Sequence, residues 1–207
     1  MAKLDVTKTN DAIDRLLDVT ENPRHRYLLM AYHRHRFLEI AGRYEEIFVP
    51  EMTIENPVYH FKALGITAKL EGAAEVKALY DMWAQTNQSI FYSDDEEVAV
   101  ANSYVATVAT GCQQVLGSAL VGYGIPVDDP DAMYIYKARE EMIWTYDERG
   151  RLTGEDVWEP DSDKAEIIKL DPADVLTTRE AADLLEPLIM PLPSFDEMVL
   201  GKSSTSV

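Results

Sequence analysis

Residues 104–158 contain three runs of strict alternation, and these constrain the chain more than any other feature. Ser103–Gly117 alternates around Tyr104, Ala106, Val108, Thr110, Cys112 and Gln114, and Met133–Tyr146 around Tyr134, Tyr136, Ala138, Glu140, Met142 and Trp144. Leu152–Trp158 follows the turn signal Asp147-Glu148-Arg149-Gly150. Side chains two apart in a strand share a face, so the spacing predicts two long β-strands and a shorter third. It gives each long strand an apolar, aromatic even-numbered surface. The row of Lys137, Arg139, Glu141 and Thr145 is more polar. An apolar sheet face needs a cover, and the first half of the chain offers helices for it.

Asn22-Pro23 opens a helical pattern running to Phe48, with Met30, His33, Phe37, Ala41, Tyr44 and Phe48 at helical spacing. Arg24, Arg26, Arg34, Arg36 and Arg43 cluster in it and are read as a solvated or subunit-facing side. A shorter helix is expected over Thr9–Asp18, and another over Ala73–Thr86 with Val76, Leu79, Tyr80 and Trp83 on one side. Met52–Glu55 is a short strand ahead of Pro57, and Lys62 to Glu71 reads as a loop. Ile90–Ala101 is a strand whose acidic run, Ser93–Glu97, marks a bulge or turn. Beyond Pro160, Thr177-Thr-Arg-Glu180 carries a capping-box pattern before a short helix, the prolines that follow suggest a tail laid over the body, and Gly201–Val207 is expected to be disordered.

A net charge of −18 disfavours nucleic acid and anionic membranes as partners. One cysteine, Cys112, excludes an internal disulfide framework and a cysteine-clustered zinc site, and a lone free thiol fits the cytoplasm. No apolar run reaches the length of a membrane span, and residues 1–5 show no apolar signal region. No metal-ligand spacing, phosphate loop or dinucleotide fingerprint is present, so neither metal nor cofactor is expected.

The element order, together with Arg43-Tyr-Glu-Glu-Ile-Phe-Val-Pro-Glu-Met-Thr-Ile-Glu-Asn-Pro57, Leu70-Glu-Gly-Ala-Ala-Glu-Val76 and Tyr146-Asp-Glu-Arg-Gly-Arg-Leu152, resembles the nuclear transport factor 2-like superfamily in its SnoaL-like branch. The resemblance implies an α+β fold: a cone-shaped barrel in which a curved antiparallel sheet wraps three helices of the N-terminal half around a deep apolar pocket. It divides the chain into an N-terminal extension (1–22), the SnoaL-like domain (23–160) and a C-terminal extension (161–207). Its members include cofactor-free dehydratases, isomerases, epoxide hydrolases and non-catalytic binders, so fold alone does not settle function. Asn56-Pro-Val-Tyr-His60, the many tyrosines and the long tail are also similar to lyases that release formaldehyde from lignin-derived diarylpropanes. That likeness implies water loss to a quinone methide, which takes up electrons as the hydroxymethyl carbon departs.

Candidate residues follow from chemistry and expected position. His60, beside Tyr59 at a strand end where the resemblance places the pocket mouth, is the expected proton carrier. Tyr104, Tyr134 and Tyr136 are phenols able to stabilise a leaving hydroxyl or an oxyanion. Glu140, in the apolar row, is a carboxyl that burial would keep protonated near neutrality. Of the neighbours Glu155 and Asp156, opposite parity lets one face inward, and Asp156 is preferred. Asn56 and Gln114 are candidate orienting amides, and Tyr80, Trp83 and Trp144 candidate aromatic walls. His33 is read as a packed core histidine, His25 and His35 as surface. The expected function is a cofactor-independent lyase on a hydrophobic phenolic substrate. The alternatives are a non-catalytic binder or assembly protein, an isomerase, or an epoxide hydrolase. An outer sheet face carrying Val105, Ala109, Val115, Ile135 and Ile143 points to a homo-oligomer, dimer or trimer.

Overall fold

Helix α2 (Pro23–Ile40) is the axis of the molecule. Pro23 sits at its first turn, and the Asn22 side chain accepts hydrogen bonds from the Arg24 and His25 backbone NH groups. Eleven of its 18 residues are buried, on every side of the helix. The expected solvated arginine side fails at Arg36, which lies inside with His35, while Arg24, Arg26, Arg34 and Arg43 stay partly exposed. The helix also ends earlier than expected. Helix α1 (Asp11–Val19) packs on it, and the Asn10 amide donates to His33 O at 3.0 Å.

The computed structural model describes residues 4–202, so the disorder expected for 203–207 lies outside the described residues. Around α2 and α3 (Ala73–Gln85) wraps a sheet of seven strands: β1 (Thr53–Ala63), β2 (Ile66–Glu71), β3 (Phe91–Val100), β4 (Tyr104–Leu116), β5 (Met133–Tyr146), β6 (Leu152–Trp158) and β7 (Glu166–Lys169). The order is β2-β1-β6-β5-β4-β3, with β7 paired to β5. The sheet does not close, and it is mixed rather than antiparallel because β1 and β6 run parallel. Side chains from β1 through β6 line one cavity, so the sheet is concave toward the helices. Short helices complete the chain: α4 (Gly117–Gly122), α5 (Thr178–Leu185) and α6 (Phe195–Met198).

Two strands were missed from the sequence. β2 was read as a loop, yet it forms a hairpin with β1 through Leu64 and Gly65, both at positive φ. A two-residue turn with φ positive at both positions matches strand twist, and glycine makes the second position cheap. β7 was hidden in the tail. The interruption expected in β3 is real: the register slips between Asp94 and Glu97, with Asp95 at φ +49°.

Register then sets which rows face in. Val105, Trp144, Glu155, Tyr59 and Leu70 are consecutive cross-strand partners and form one transverse row on the concave side. Thr107, Met142, Val157, Phe61 and Ala68 form the next. In β5 the even row faces in, as expected. In β4 it is the odd row, because Val105 pairs with Trp144. Val105, Ala109 and Val115 are consequently buried, Ile135 is covered by Leu170 and the β7 segment, and of the five residues assigned to the outer face only Ile143 is exposed.

The tail packs against the body. The Thr177 hydroxyl and the Glu180 side chain form a reciprocal capping box at α5, which lies on α2, and Phe195 meets Tyr27 edge-on at 5.1 Å. Among the described residues, no helix is long and apolar enough to cross a membrane.

Candidate functional site

A cavity of about 150 Å³ lies between α2, α3 and the concave sheet. Its walls are aromatic, with Tyr32, Phe61, Tyr80, Trp83, Phe91 and Trp144. Tyr80 and Trp83, three apart on α3, stack at 6.0 Å, while Trp144 meets Tyr32 at 4.7 Å and His35 at 4.5 Å. Into this apolar space project four charged-type side chains: Arg36 and Glu39 from α2, Glu140 from β5 and Glu155 from β6.

Arg36 is 1% exposed and is matched by Glu96, whose two oxygens accept from one guanidinium nitrogen at 2.8 and 2.9 Å. Its other terminal nitrogen donates to Ser93 Oγ at 2.5 Å, and the guanidinium lies over Tyr32 and Phe91. The irregularity in β3 is what places Glu96 there. Without it, period-two alternation from inward-facing Ser93 would turn Glu96 outward. Arg36 is thus neutralised before any ligand enters.

The three cavity carboxyls have no such cation pressed against them. Burial raises Glu39 to about 8, against the opposing pull of Arg36 and of a Tyr80 hydrogen bond. Burial, followed by the charge of Glu39, pushes Glu155 well above the usual carboxylate range. Burial, with the nearby Glu159 charge, raises Glu140 to about 7. Glu39 and Glu155 therefore titrate as a linked pair. His35 Nε2 lies 3.3 Å from Tyr80 Oη and 3.8 Å from Glu39 Oε2, and burial lowers its pKa to about 3, so the imidazole is neutral. Tyr59, Tyr32 and Trp144 each keep a buried polar atom without a hydrogen-bond partner among the described residues.

The residues proposed from sequence divide sharply. Glu140, Tyr80, Trp83 and Trp144 line the cavity, and Tyr59 is fully buried in the row beside Glu155. His60 and Asp156 do not: they face outward, paired with each other at 2.7 Å and both more than half exposed. Tyr59 and Glu155 point in, so their sequence neighbours must point out. The preference for Asp156 over Glu155 was wrong by this one-residue parity. Tyr104 is exposed on the outer face, and Asn56 is exposed near the irregular start of β1. Gln114 is buried, but its amide is spent on the backbone of Asn87 and Leu176. Tyr134 donates to Asp128 beneath the loop after α4. Tyr136 donates to Glu159 at 2.7 Å, behind the cavity wall. Sequence reasoning missed Arg36, His35 and Glu39. Their signal was available: Tyr32, Arg36 and Glu39 fall on one helical face in a helix whose apolar residues leave it no solvent side.

Among the described residues, no three His, Cys, Asp or Glu side chains converge as metal ligands. Cys112, at the cavity edge, has its thiol pushed up to about 11 by burial and is a poor nucleophile.

No family model and no curated protein matches the sequence. Among solved structures, the chain is similar to Bal32a from a soil-derived mobile gene cassette, at 10% identity and TM-score 0.49 over 68% of this chain and 94% of that one. It is also similar to an NTF2-like protein from Anabaena variabilis, at 8% identity and TM-score 0.48 over 68% and 92%. A phenazine biosynthesis-related protein from Pseudomonas aeruginosa gives 11% identity and TM-score 0.42 over 71% and 82%. The chemistry of the cavity rests on its own residues.

Proposed function

We propose that this chain is a lyase that eliminates water from a neutral, hydroxyl-bearing aromatic molecule by acid–base catalysis, and that it belongs among the SnoaL-like members of the nuclear transport factor 2-like superfamily. The observation that carries the proposal is the Glu39–Glu155 pair, two linked carboxyls facing one apolar cavity from helix and sheet, with Tyr80 beside them. Elimination needs a proton given to the departing oxygen and another withdrawn from the substrate. A linked pair does both within one apolar site when only one member is ionised: Glu155, raised furthest, keeps its proton and is the acid, and Glu39, which ionises first, is the base. Tyr80, tied to Glu39, is placed to donate to the oxygen as charge develops. The aromatic walls and acidic groups select a neutral ring over an anion.

The size of the cavity constrains the substrate. A space of about 150 Å³ receives a single aromatic ring. For a diarylpropane, one ring seats at the acids and the second requires lining side chains to move at the mouth. The same proposal keeps a homo-oligomer, assembled through the outer sheet face where Tyr104, Ile143 and Trp158 are exposed. Light scattering decides that point.

The test is turnover of a panel of benzylic alcohols and lignin-derived diarylpropane diols, followed as new conjugated absorbance and as formaldehyde. Glu155→Gln and Glu39→Gln each lower kcat by about 10²–10⁴-fold with the fold retained. Unchanged turnover in both variants would sink the proposal.

A further inference from the structure

The cavity holds one cation of its own, and that cation is already matched. Arg36 pairs with Glu96 and lies over the Tyr32 and Phe91 rings. The acids opposite have no such partner. Glu155 is only 6% exposed and lines the cavity, yet among the described residues its carboxyl meets neither a hydrogen bond nor an ion pair. Glu39 has neutral company, His35 Nε2 at 3.8 Å and the Tyr80 hydroxyl. The fold brings these two acids to one end. Glu155 is the cross-strand partner of Trp144, Trp144 meets the His35 ring at 4.5 Å, and His35 stands one helical turn before Glu39. The same end offers unused ring faces. Among the described residues no Lys or Arg lies over Tyr80, Trp83 or Trp144; the cation–π contacts fall on Tyr32, Phe48, Phe91 and Phe195. Unpaired carboxyls in an apolar space are costly, and a cation offsets that cost. Aromatic faces attract the same charge. The donor set suits an organic cation rather than a metal ion, because no three ligand side chains converge among the described residues.

We propose that this cavity binds a primary ammonium ion carried on a single ring, with its charge between Glu39 and Glu155 and its ring against Tyr80, Trp83 and Trp144. An ammonium brings three N–H donors and no acceptor, which is what two carboxylates short of donors require. A space of about 150 Å³ takes one ring and little more. Binding is an ion exchange. Burial holds the pair protonated at neutral pH, so the entering cation sends about one carboxyl proton to the buffer. The other groups near the pair stay out of that exchange. Arg36 is fixed by Glu96, His35 is already neutral, and burial holds the Tyr32, Tyr59 and Tyr80 hydroxyls above their ordinary range. Glu140 stands four residues along β5 from Trp144, and Asp156 faces out on the far side of the sheet. This goes beyond elimination from a neutral alcohol and does not depend on it. An amine that ionises the pair removes the acid that elimination would use, so the two ligands exclude each other.

Titration calorimetry on the full chain at pH 7 compares benzylamine with ethylbenzene, a neutral molecule of the same shape, and with benzoate. Benzylamine binds about tenfold more tightly than ethylbenzene, and benzoate does not bind. Repeating the titration in phosphate and in HEPES, which differ in heat of ionisation, reads about one proton released per benzylamine and none per ethylbenzene. Glu155→Gln and Glu39→Gln keep the shape of the site and abolish the preference for the amine, whereas Glu140→Gln retains it. Equal affinity for benzylamine and ethylbenzene, benzylamine binding without proton release, a preference that survives in the Glu39→Gln/Glu155→Gln double variant, or no binding of benzylamine overturns the proposal. The affinities and the proton count are wild-type readings and need no variant to fold. Turnover of benzylic alcohols, present or absent, moves neither of them.

Discussion

Arg36 is the perturbation with the clearest arithmetic. Its guanidinium is 1% exposed, and the Glu96 side chain that pairs with it is 2% exposed. Arg36→Met removes the cation and leaves the Glu96 carboxylate in the interior, with Ser93 losing its donor. Breaking a buried pair from one side costs about 3–5 kcal/mol, most of it the stranded charge. For a chain of this size that is a fall in Tm of roughly 10 °C. The double variant Arg36→Met/Glu96→Gln strands no charge, so it recovers much of the loss. Urea unfolding followed by tryptophan fluorescence on the wild type, both single variants and the double variant gives the coupling energy directly. A single-variant cost below about 1 kcal/mol, or losses that simply add, would refute the claim that the pair is dry and mutually dependent. The same variant has a functional signature. Arg36 pulls down the proton affinity of Glu39, Glu140 and Glu155. Without it all three hold protons to higher pH, and the alkaline limb of any pH–rate profile moves upward.

The cavity acids also predict an unusual dependence of stability on pH. Glu140 at about 7 and Glu39 at about 8 bind protons more tightly folded than unfolded, so their stabilisation is complete below about pH 4.5 and is lost as the pH rises through 7 and 8. His33 at about 4 and His35 at about 3 act oppositely: their contribution is full above pH 6.5 and is lost as the pH falls. The opposing slopes cancel between about pH 4.5 and 6.5, and stability then drops by on the order of 3 kcal/mol between pH 6.5 and 8.5, measurable by urea unfolding at each pH. Glu39→Gln flattens the drop, and a flat wild-type profile contradicts the burial of these acids. His60→Ala and Asp156→Asn, at an exposed pair, change stability by about 0.5 kcal/mol or less and leave turnover intact. A large loss of activity in either variant would return the site to the outer face. Thr177→Ala removes the capping box of α5 and costs about 1 kcal/mol, concentrated as faster amide exchange in Thr178–Leu185.

What the sequence made legible, and what it hid, follows one physical line. β5 and β6 were readable to the residue because their alternation is strong and their ends carry turn signals. The face of β4 was not, because Val105, Thr107 and Ala109 are no more apolar than Tyr104, Ala106 and Val108. Only the partner strand decides between them. The same ambiguity let Asp156 be preferred to Glu155: opposite parity says that only one of the two faces inward, and the pairing with β1, where Asp156 lies opposite outward-facing His60, decides which. Helix α2 failed for another reason. Arginine and glutamate are normally solvated, so Arg36 and Glu39 read as surface in composition, and their burial depends on a bulge in β3 sixty residues away that brings Glu96 inside. A buried cation implies an anion brought to meet it. The acidic run Ser93–Glu97, already marked as irregular, was the place to look for that anion. Had the two been joined, α2 would have been recognised as a wall of the cavity, and Glu39, one turn beyond Arg36, as one of its acids.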